Sequence, residues 1–120
     1  MKIRLDYLSV SVAGDYYQVM FEEKDEDEWN ETLDTPYVLI QRQFEMPDGG
    51  RIYIETHGEN FIGHFAVTRS TLGPNQLFLQ LRRNRHAELE VTFNTSKHKY
   101  MELKEALRNM IPSIELLEVS

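Results

Sequence analysis

The chain has 120 residues, of which 41% are hydrophobic and none is cysteine. This length predicts a single domain over residues 1–120 with a modest core. A formal net charge of -7 disfavours nucleic acid and anionic membranes as partners bound through bulk charge. The lack of cysteine excludes disulfides and thiolate metal sites. With neither a signal peptide nor a membrane anchor in the sequence, we expect a cytoplasmic soluble protein.

Alternation of apolar and polar residues with a period of two predicts strands along most of the chain. The first two strands, with apolar positions 3, 5, 7 and 17, 19, 21, form an antiparallel pair around Gly14. Strands 37–46 and 51–56 flank the turn at 47–50, where Pro and Gly favour a hairpin. Further strands are predicted at 62–69, 77–81 and 89–93. Each presents one apolar and one wet face, as in an antiparallel sheet covered on one side.

The period then becomes helical, with apolar residues on one stripe at Tyr100, Leu103, Leu107, Met110 and Ile111. Thr95 or Ser96 is expected to cap this helix, and Pro112 to end it. Residues 114–119 are expected to form a short last strand or to pack against the rest of the domain. The sequence therefore predicts an α+β fold, a single antiparallel sheet of about seven strands covered by one C-terminal helix over 97–110.

The negative charge of the chain is concentrated in residues 22–34, which we call the acidic segment. It reads EEKDEDEWNETLD, with eight acidic residues and one lysine, so the rest of the chain is electrically neutral. Blocks of like charge usually form solvated loops. The only tryptophan, Trp29, lies within this segment, and a purely solvating loop has no use for such a large apolar ring.

Motifs for nucleophilic, metalloprotease or nucleotide-binding chemistry do not occur in the sequence. His57 and His64 flank one turn, with Glu55 and Glu59 nearby, but no third ligand completes a metal or acid/base site. A calcium loop that begins at Asp25 would have Asn30 where it needs glycine, and Pro36 where it needs glutamate. We therefore expect no enzyme activity, no metal and no cofactor.

A basic turn is formed by Arg82, Arg83, Arg85 and His86. Arginine forks match phosphate, yet no aromatic residue is interleaved with these residues to stack bases. The pattern favours a solvated turn over a phosphate site.

Several short segments follow one another along the chain: YVLIQR at 37–42, GGRIYIE at 49–55, GHFAVTR at 63–69, ELEVTF at 88–93 and YMELKEAL at 100–107. Their order resembles the immunity protein 10 family of bacterial polymorphic toxin systems. The resemblance covers roughly residues 16–111 and also fits the acidic segment, although the connection between the strands near 41 and 53 is shorter and the helix start is basic.

The resemblance implies a cytoplasmic protein that binds a cognate toxin and blocks it, without naming the toxin. An acidic surface suits a toxin with a basic cleft, and Trp is enriched among binding hot spots. We therefore hypothesise that the partner-binding surface includes four residues of the acidic segment: Glu26, Asp27, Glu28 and Trp29.

Three alternatives stay open at this point. The protein could be an adaptor or scaffold that binds a partner through an exposed sheet edge. It could hold a small-ligand or nucleotide-hydrolysing pocket between sheet and helix, using His57, His64 and Glu55. It could also be purely structural. The oligomeric state and the strand order do not follow from the sequence, because alternation does not say which strands are neighbours.

Overall fold

The computed structural model describes residues 1–23, 36–44 and 49–117. These residues contain nine strands, one α-helix and a 3-10 turn at Glu59–Phe61. The α+β class is confirmed, and the sheet is larger than the predicted seven strands. In chain order the elements are β1 (Lys2–Arg4), β2 (Tyr7–Ala13), β3 (Tyr16–Glu22), β4 (Tyr37–Gln43), β5 (Arg51–Thr56), β6 (Ile62–Gly73), β7 (Gln76–Leu81), β8 (Glu88–Thr92), α1 (Lys97–Met110) and β9 (Glu115–Leu116).

The sheet is strongly curled. Its strands follow the order β1-β8-β7-β6-β5-β4-β3-β2, with β9 beside β6. Strands β1 and β2 lie at opposite ends of this order, yet only Leu5 and Asp6 separate them in the chain. The two ends of the sheet must therefore approach each other. We call β2 to β5 with residues 62–66 of β6 the first half, and residues 67–73 of β6 with β7, β8, β1 and β9 the second half.

Strand β6 belongs to both halves because it bends in the middle. Its register against β7 shifts between Val67 and Arg69, and such a bulge bends a strand and increases its twist. The Thr68 hydroxyl lies at the bulge and donates to the Gln80 carbonyl at 3.1 Å. The sequence predicts that this strand ends near Arg69, which is wrong, because the bulge interrupts the alternation and the strand then continues to Gly73.

The start of the chain also differs from the prediction. One strand was predicted over positions 3 to 7, but the chain leaves the second half after Arg4 and enters the first half at Tyr7. The Leu5 amide donates to the Thr92 carbonyl at 2.9 Å, and the Asp6 carboxylate accepts from the Asn94 amide at 3.0 Å. Because β1 pairs with β8 in parallel and β9 pairs with β6 in parallel, the sheet is mixed and not wholly antiparallel.

The hairpin predicted between β4 and β5 is confirmed, whereas the antiparallel pair predicted around Gly14 has residues 7–13, and not positions 3 to 7, as its first strand. Strands β2 and β3 pair antiparallel, as do β4 and β5. In the second hairpin Gly49 and Gly50 have φ angles of 65° and 76°, a region that glycine adopts without steric cost. Residues 45–48 of that turn lie outside the described residues.

One hydrophobic core joins the two halves and the helix. Buried side chains from all three form a single cluster, in which the rings of Phe21 in β3 and Phe93 after β8 lie 5.4 Å apart between centroids. Leu103 and Leu107 point into this cluster from α1, and α1 lies closest to β2 and β3. The helix has the predicted bounds, 97–110. In the part of the chain that is described, no helix has the length and apolar character needed to cross a membrane.

The C-terminal end of α1 is held by a side chain from the sheet. Arg42 of β4 donates from Nη1 to the Met110 carbonyl at 2.5 Å. A cation at this end also meets the negative pole of the helix dipole. Arg42 therefore fixes the helix to the core side of the first half.

Candidate functional site

The outer face of the second half is an ordinary wet surface. Most outward positions of its strands hold charged, amide or threonine side chains, with Phe78 of β7 as an aromatic exception. Lys2 of β1 forms an ion pair with Glu90 of β8 at 3.5 Å. Gln76 of β7 also donates to Glu90. Such a face needs no partner, because water and its own cross-strand pairs satisfy it.

The outer face of the first half has a different character. Here the register aligns four tyrosines with apolar and amide residues across β2 to β6. Leu39 is only 9% exposed although it does not belong to the core cluster. We call part of this surface the tyrosine face; it consists of Tyr7, Tyr16, Gln18, Met20, Leu39, Tyr37, Gln41, Tyr53, Glu55, Ile62 and His64. The charged residues Glu22 and Arg51 lie on the same side of the sheet, outside this set.

Glu55 lies near the middle of the tyrosine face and accepts a hydrogen bond on each carboxylate oxygen. The Tyr37 hydroxyl donates to Oε2 at 2.9 Å, and the Tyr53 hydroxyl donates to Oε1 at 2.7 Å. Glu55 is paired with Leu39 of β4 on one side and with Ile62 of β6 on the other. The carboxylate is thus fixed between two phenols and two apolar neighbours.

These contacts change the acidity of both tyrosines. Burial, the hydrogen bond to Glu55 and the negative charge of that carboxylate raise the pKa of Tyr37 from 10.0 to about 12. The hydrogen bond to Glu55, followed by burial, also raises the pKa of Tyr53. A neighbouring negative charge disfavours a phenolate. Both hydroxyls therefore remain donors at neutral pH.

The two histidines of the sequence hypothesis lie at the border of this cluster, and they do not face the helix. The His64 ring lies 5.2 Å from the Tyr53 ring, and His57 Nδ1 lies 3.3 Å from the Tyr37 amide nitrogen. Glu55 alternates with the core residue Ile54 in β5, His64 is paired with Tyr53 across the sheet, and His57 follows directly after β5. The hypothesis of a pocket between sheet and helix built from His57, His64 and Glu55 is therefore wrong about its place, because these side chains lie on the outer face.

Residues 1–23, 36–44 and 49–117 contain no group of three or more histidine, aspartate or glutamate side chains that could hold a metal ion. The chemistry of the tyrosine face is therefore that of aromatic rings, phenolic donors and a single fixed carboxylate.

The residues predicted to contact a partner, Glu26, Asp27, Glu28 and Trp29, lie outside the described residues. The structure does describe the two strands, β3 and β4, that the acidic segment connects. Glu22 at the end of β3 pairs with Tyr37 at the start of β4, and Tyr7 of β2 pairs with Glu22. The acidic segment is thus attached at the row of the tyrosine face that contains Tyr7 and Tyr37.

The basic turn is partly used inside the protein. Arg83 donates from Nη1 to the Asn60 carbonyl at 2.8 Å, and its guanidinium lies 5.1 Å from the centre of the Phe65 ring. His86 has a φ of 52° and its ring meets the Phe61 ring edge-on at 6.2 Å. These contacts brace the turn against β6, which agrees with a structural role and gives no support to a phosphate site.

The sequence alone does not predict the tyrosine face. Tyr37 and Tyr53 lie in predicted strands, but the pattern does not group them into a surface opposite the core. A signal was available: the outward positions of β4 and β5 hold Tyr37, Leu39 and Tyr53, where a solvated strand normally carries charge. The meeting of these positions on neighbouring strands requires the register, which alternation does not supply.

Comparison with known proteins adds nothing to this geometry, since no family model, no curated protein and no solved structure matches the chain.

Proposed function

We propose that the protein is a cytoplasmic immunity protein that binds a cognate bacterial toxin and neutralises it without catalysis. The tyrosine face, with the acidic segment attached at its edge, forms the toxin-binding surface. Binding involves neither nucleic acid nor a membrane, and no cofactor takes part.

The observation that supports this proposal most is the difference between the two outer faces of one sheet. Tyrosine supplies a large, amphipathic contact area at a low cost in conformational entropy and is enriched in protein–protein interfaces. The second half instead presents charged residues such as Lys2 and Glu90. A protein that binds partners through the first half would show this asymmetry.

The distribution of charge also supports a toxin-binding surface on the first half. All of the net charge of -7 comes from the acidic segment, which is attached between Glu22 and Tyr37. A toxin that acts on nucleic acid needs a basic cleft, and an acidic surface steers association with it. We propose that Glu26, Asp27 and Glu28 supply this attraction and that Trp29 adds an apolar anchor.

The test is a pull-down of the toxin-like product of the neighbouring gene. Trp29→Ala should weaken binding, and the triple variant Glu26→Gln, Asp27→Asn, Glu28→Gln should lower the association rate and flatten its dependence on salt. Co-expression should protect cells from the toxin only when the chain retains binding.

A charge-matched control separates this local effect from net charge. The triple variant Glu88→Gln, Glu105→Gln, Glu115→Gln removes the same number of charges from exposed positions elsewhere and should bind as the wild type does. Equal affinity and salt dependence in both triple variants, together with an inert Trp29→Ala, would remove the acidic segment from the interface. No binding by the wild type would overturn the proposal as a whole.

Strand β2 favours a second candidate, an adaptor that binds through a sheet edge. Within the described residues β2 is the last strand of the order and pairs only with β3. Its sequence, YLSVSVA, contains neither a charge nor a proline, the usual protection of an edge strand. An adaptor of this kind would keep its partner when the tyrosine face is altered, and no toxin-like gene would lie next to its own.

A further inference from the structure

We propose that Glu55, held between Tyr37 and Tyr53, is the binding site for an arginine side chain of the partner. The inference rests on the proposed function, because a basic toxin supplies that arginine. It goes beyond the sequence hypothesis, which placed partner contacts only in the acidic segment.

The first argument is the hydrogen-bonding capacity that Glu55 retains. An ionised carboxylate has about four acceptor sites, two on each oxygen, and can receive a guanidinium in a bidentate manner. Tyr37 occupies one site on Oε2 and Tyr53 occupies one site on Oε1. Each oxygen therefore retains the capacity to accept one further hydrogen bond, so the carboxylate can still accept two N–H groups of a guanidinium.

The second argument is that Glu55 lacks a cation of its own. In the described part of the chain its carboxylate makes no ion pair, and its contacts are the two hydroxyls. Arg51 is on the same face of β5 but four residues away, roughly 13 Å along the strand. A half-buried carboxylate beside apolar side chains gains more from a cation than a fully solvated one does.

The third argument is the surroundings of the carboxylate. Leu39 and Ile62 are its neighbours across the sheet, and Ile62 is 51% exposed. The Tyr53 ring is additionally covered by the His64 ring at 5.2 Å. Flat aromatic and apolar surfaces suit a guanidinium, which is planar and weakly hydrated, better than an ammonium group.

The fixed geometry adds to the affinity expected of the site. The two phenols prevent the carboxylate from rotating, so little side-chain entropy remains to be lost when a partner binds. Glu88 at the start of β8, on the solvated face, has no comparable restraint on its side chain among the described contacts. Glu88 is therefore a suitable control position.

The experiment is a titration of the isotope-labelled protein with N-acetylarginine amide, followed by amide chemical shifts. We expect saturable shifts at residues 37, 53, 55 and 64. N-acetylcitrulline amide, which is neutral and nearly isosteric, should bind at least about tenfold more weakly, because charge-assisted bonds to a carboxylate are lost. N-acetyllysine amide should lie between the two.

Variants then assign the binding to the carboxylate. Glu55→Gln should abolish the preference for arginine over citrulline, whereas Glu88→Gln should leave it unchanged. The comparison of arginine with citrulline uses the wild-type protein alone, so it decides the matter even where Glu55→Gln fails to fold. Equal shifts with both compounds, or shifts elsewhere only, would overturn the site.

The outcome can be separated from that of the proposed function. A wild-type chain that fails to bind the neighbouring toxin overturns the immunity proposal, while the arginine titration still reports on the site. Conversely, a folded Glu55→Gln variant that binds the toxin as tightly as the wild type shows that the toxin does not use Glu55. That result would overturn this inference and leave the immunity proposal standing.

Discussion

At the scale of single residues, the Tyr37 hydroxyl has the most clearly changed acidity among the described residues. Its folded pKa is about 12, against 10.0 ordinarily. Below pH 10 the hydroxyl is protonated in both states, so its stabilising contribution is complete. Between pH 10 and 12 the unfolded state loses this proton and the folded state keeps it, so the free energy of unfolding falls as pH rises. Spectrophotometric titration of phenolate absorbance should show one late tyrosine that is missing in Tyr37→Phe.

Glu55→Gln provides the control for this titration. Burial is the largest cause of the shift in Tyr37, and Glu55 contributes through its hydrogen bond and charge. The variant should therefore move the pKa of Tyr37 only part of the way back towards 10.0. A complete return would mean that the carboxylate alone sets the shift, and no change would mean that the hydrogen bond to Glu55 is not formed in solution.

At the scale of elements, the start of α1 depends on one capping side chain. The Ser96 Oγ accepts from the Lys99 amide at 3.1 Å, while the first turn contains Lys97 and His98 and no acidic residue. Positive side chains at this end oppose the helix dipole. We expect Ser96→Ala to lower the free energy of unfolding by about 1 kcal/mol in urea titrations, and Ser96→Asp to preserve or raise it.

Thr95 is the matched control for the cap, because the sequence alone did not distinguish it from Ser96. Thr95→Ala should change stability by less than about 0.5 kcal/mol. A larger effect from Thr95→Ala than from Ser96→Ala would contradict this assignment. The basic first turn is also balanced from within the helix, since His98 and Lys99 both contact the Glu102 carboxylate, at 3.1 and 3.7 Å.

The elements show which features the sequence could predict and which it could not. Local signals were sufficient for α1, whose apolar stripe, Ser96 and Pro112 mark its bounds, and for the hairpin at Gly49 and Gly50. The division between β1 and β2 was missed because the alternation runs through Arg4 and Asp6 without interruption. Alternation describes which way side chains point, and it carries no information on which neighbour a strand pairs with.

At the scale of the whole molecule, the candidate site could not be predicted, because alternation does not say which strands are neighbours. Tyr37, Tyr53 and Glu55 come from two strands, and the His64 ring comes from a third. Each is unremarkable in its own strand, since tyrosine favours strands in general. They form one cluster only because the strand register aligns them with Leu39 and Ile62 on a single surface.

The shared core of the curled sheet predicts that its two halves unfold cooperatively. The two halves share one core, in which the ring of Phe21 in the first half lies 5.4 Å between centroids from the ring of Phe93, which directly follows β8 of the second half. Both rings are buried, at 0% and 2% exposure. A change at Phe93 should therefore weaken the first half as much as the second, because neither half retains a core of its own when the contact is lost.

Native-state hydrogen exchange of Phe93→Leu measures this directly. We expect the slowest amides of β3 and β8 to lose the same free energy of opening, roughly 1–2 kcal/mol. Val12→Ala, at a side chain that is 56% exposed, should change neither by more than about 0.5 kcal/mol. Loss of protection confined to β7 and β8 would show that the halves open separately. In that case the tyrosine face would sit on an independently stable unit, and its binding would survive damage to the second half.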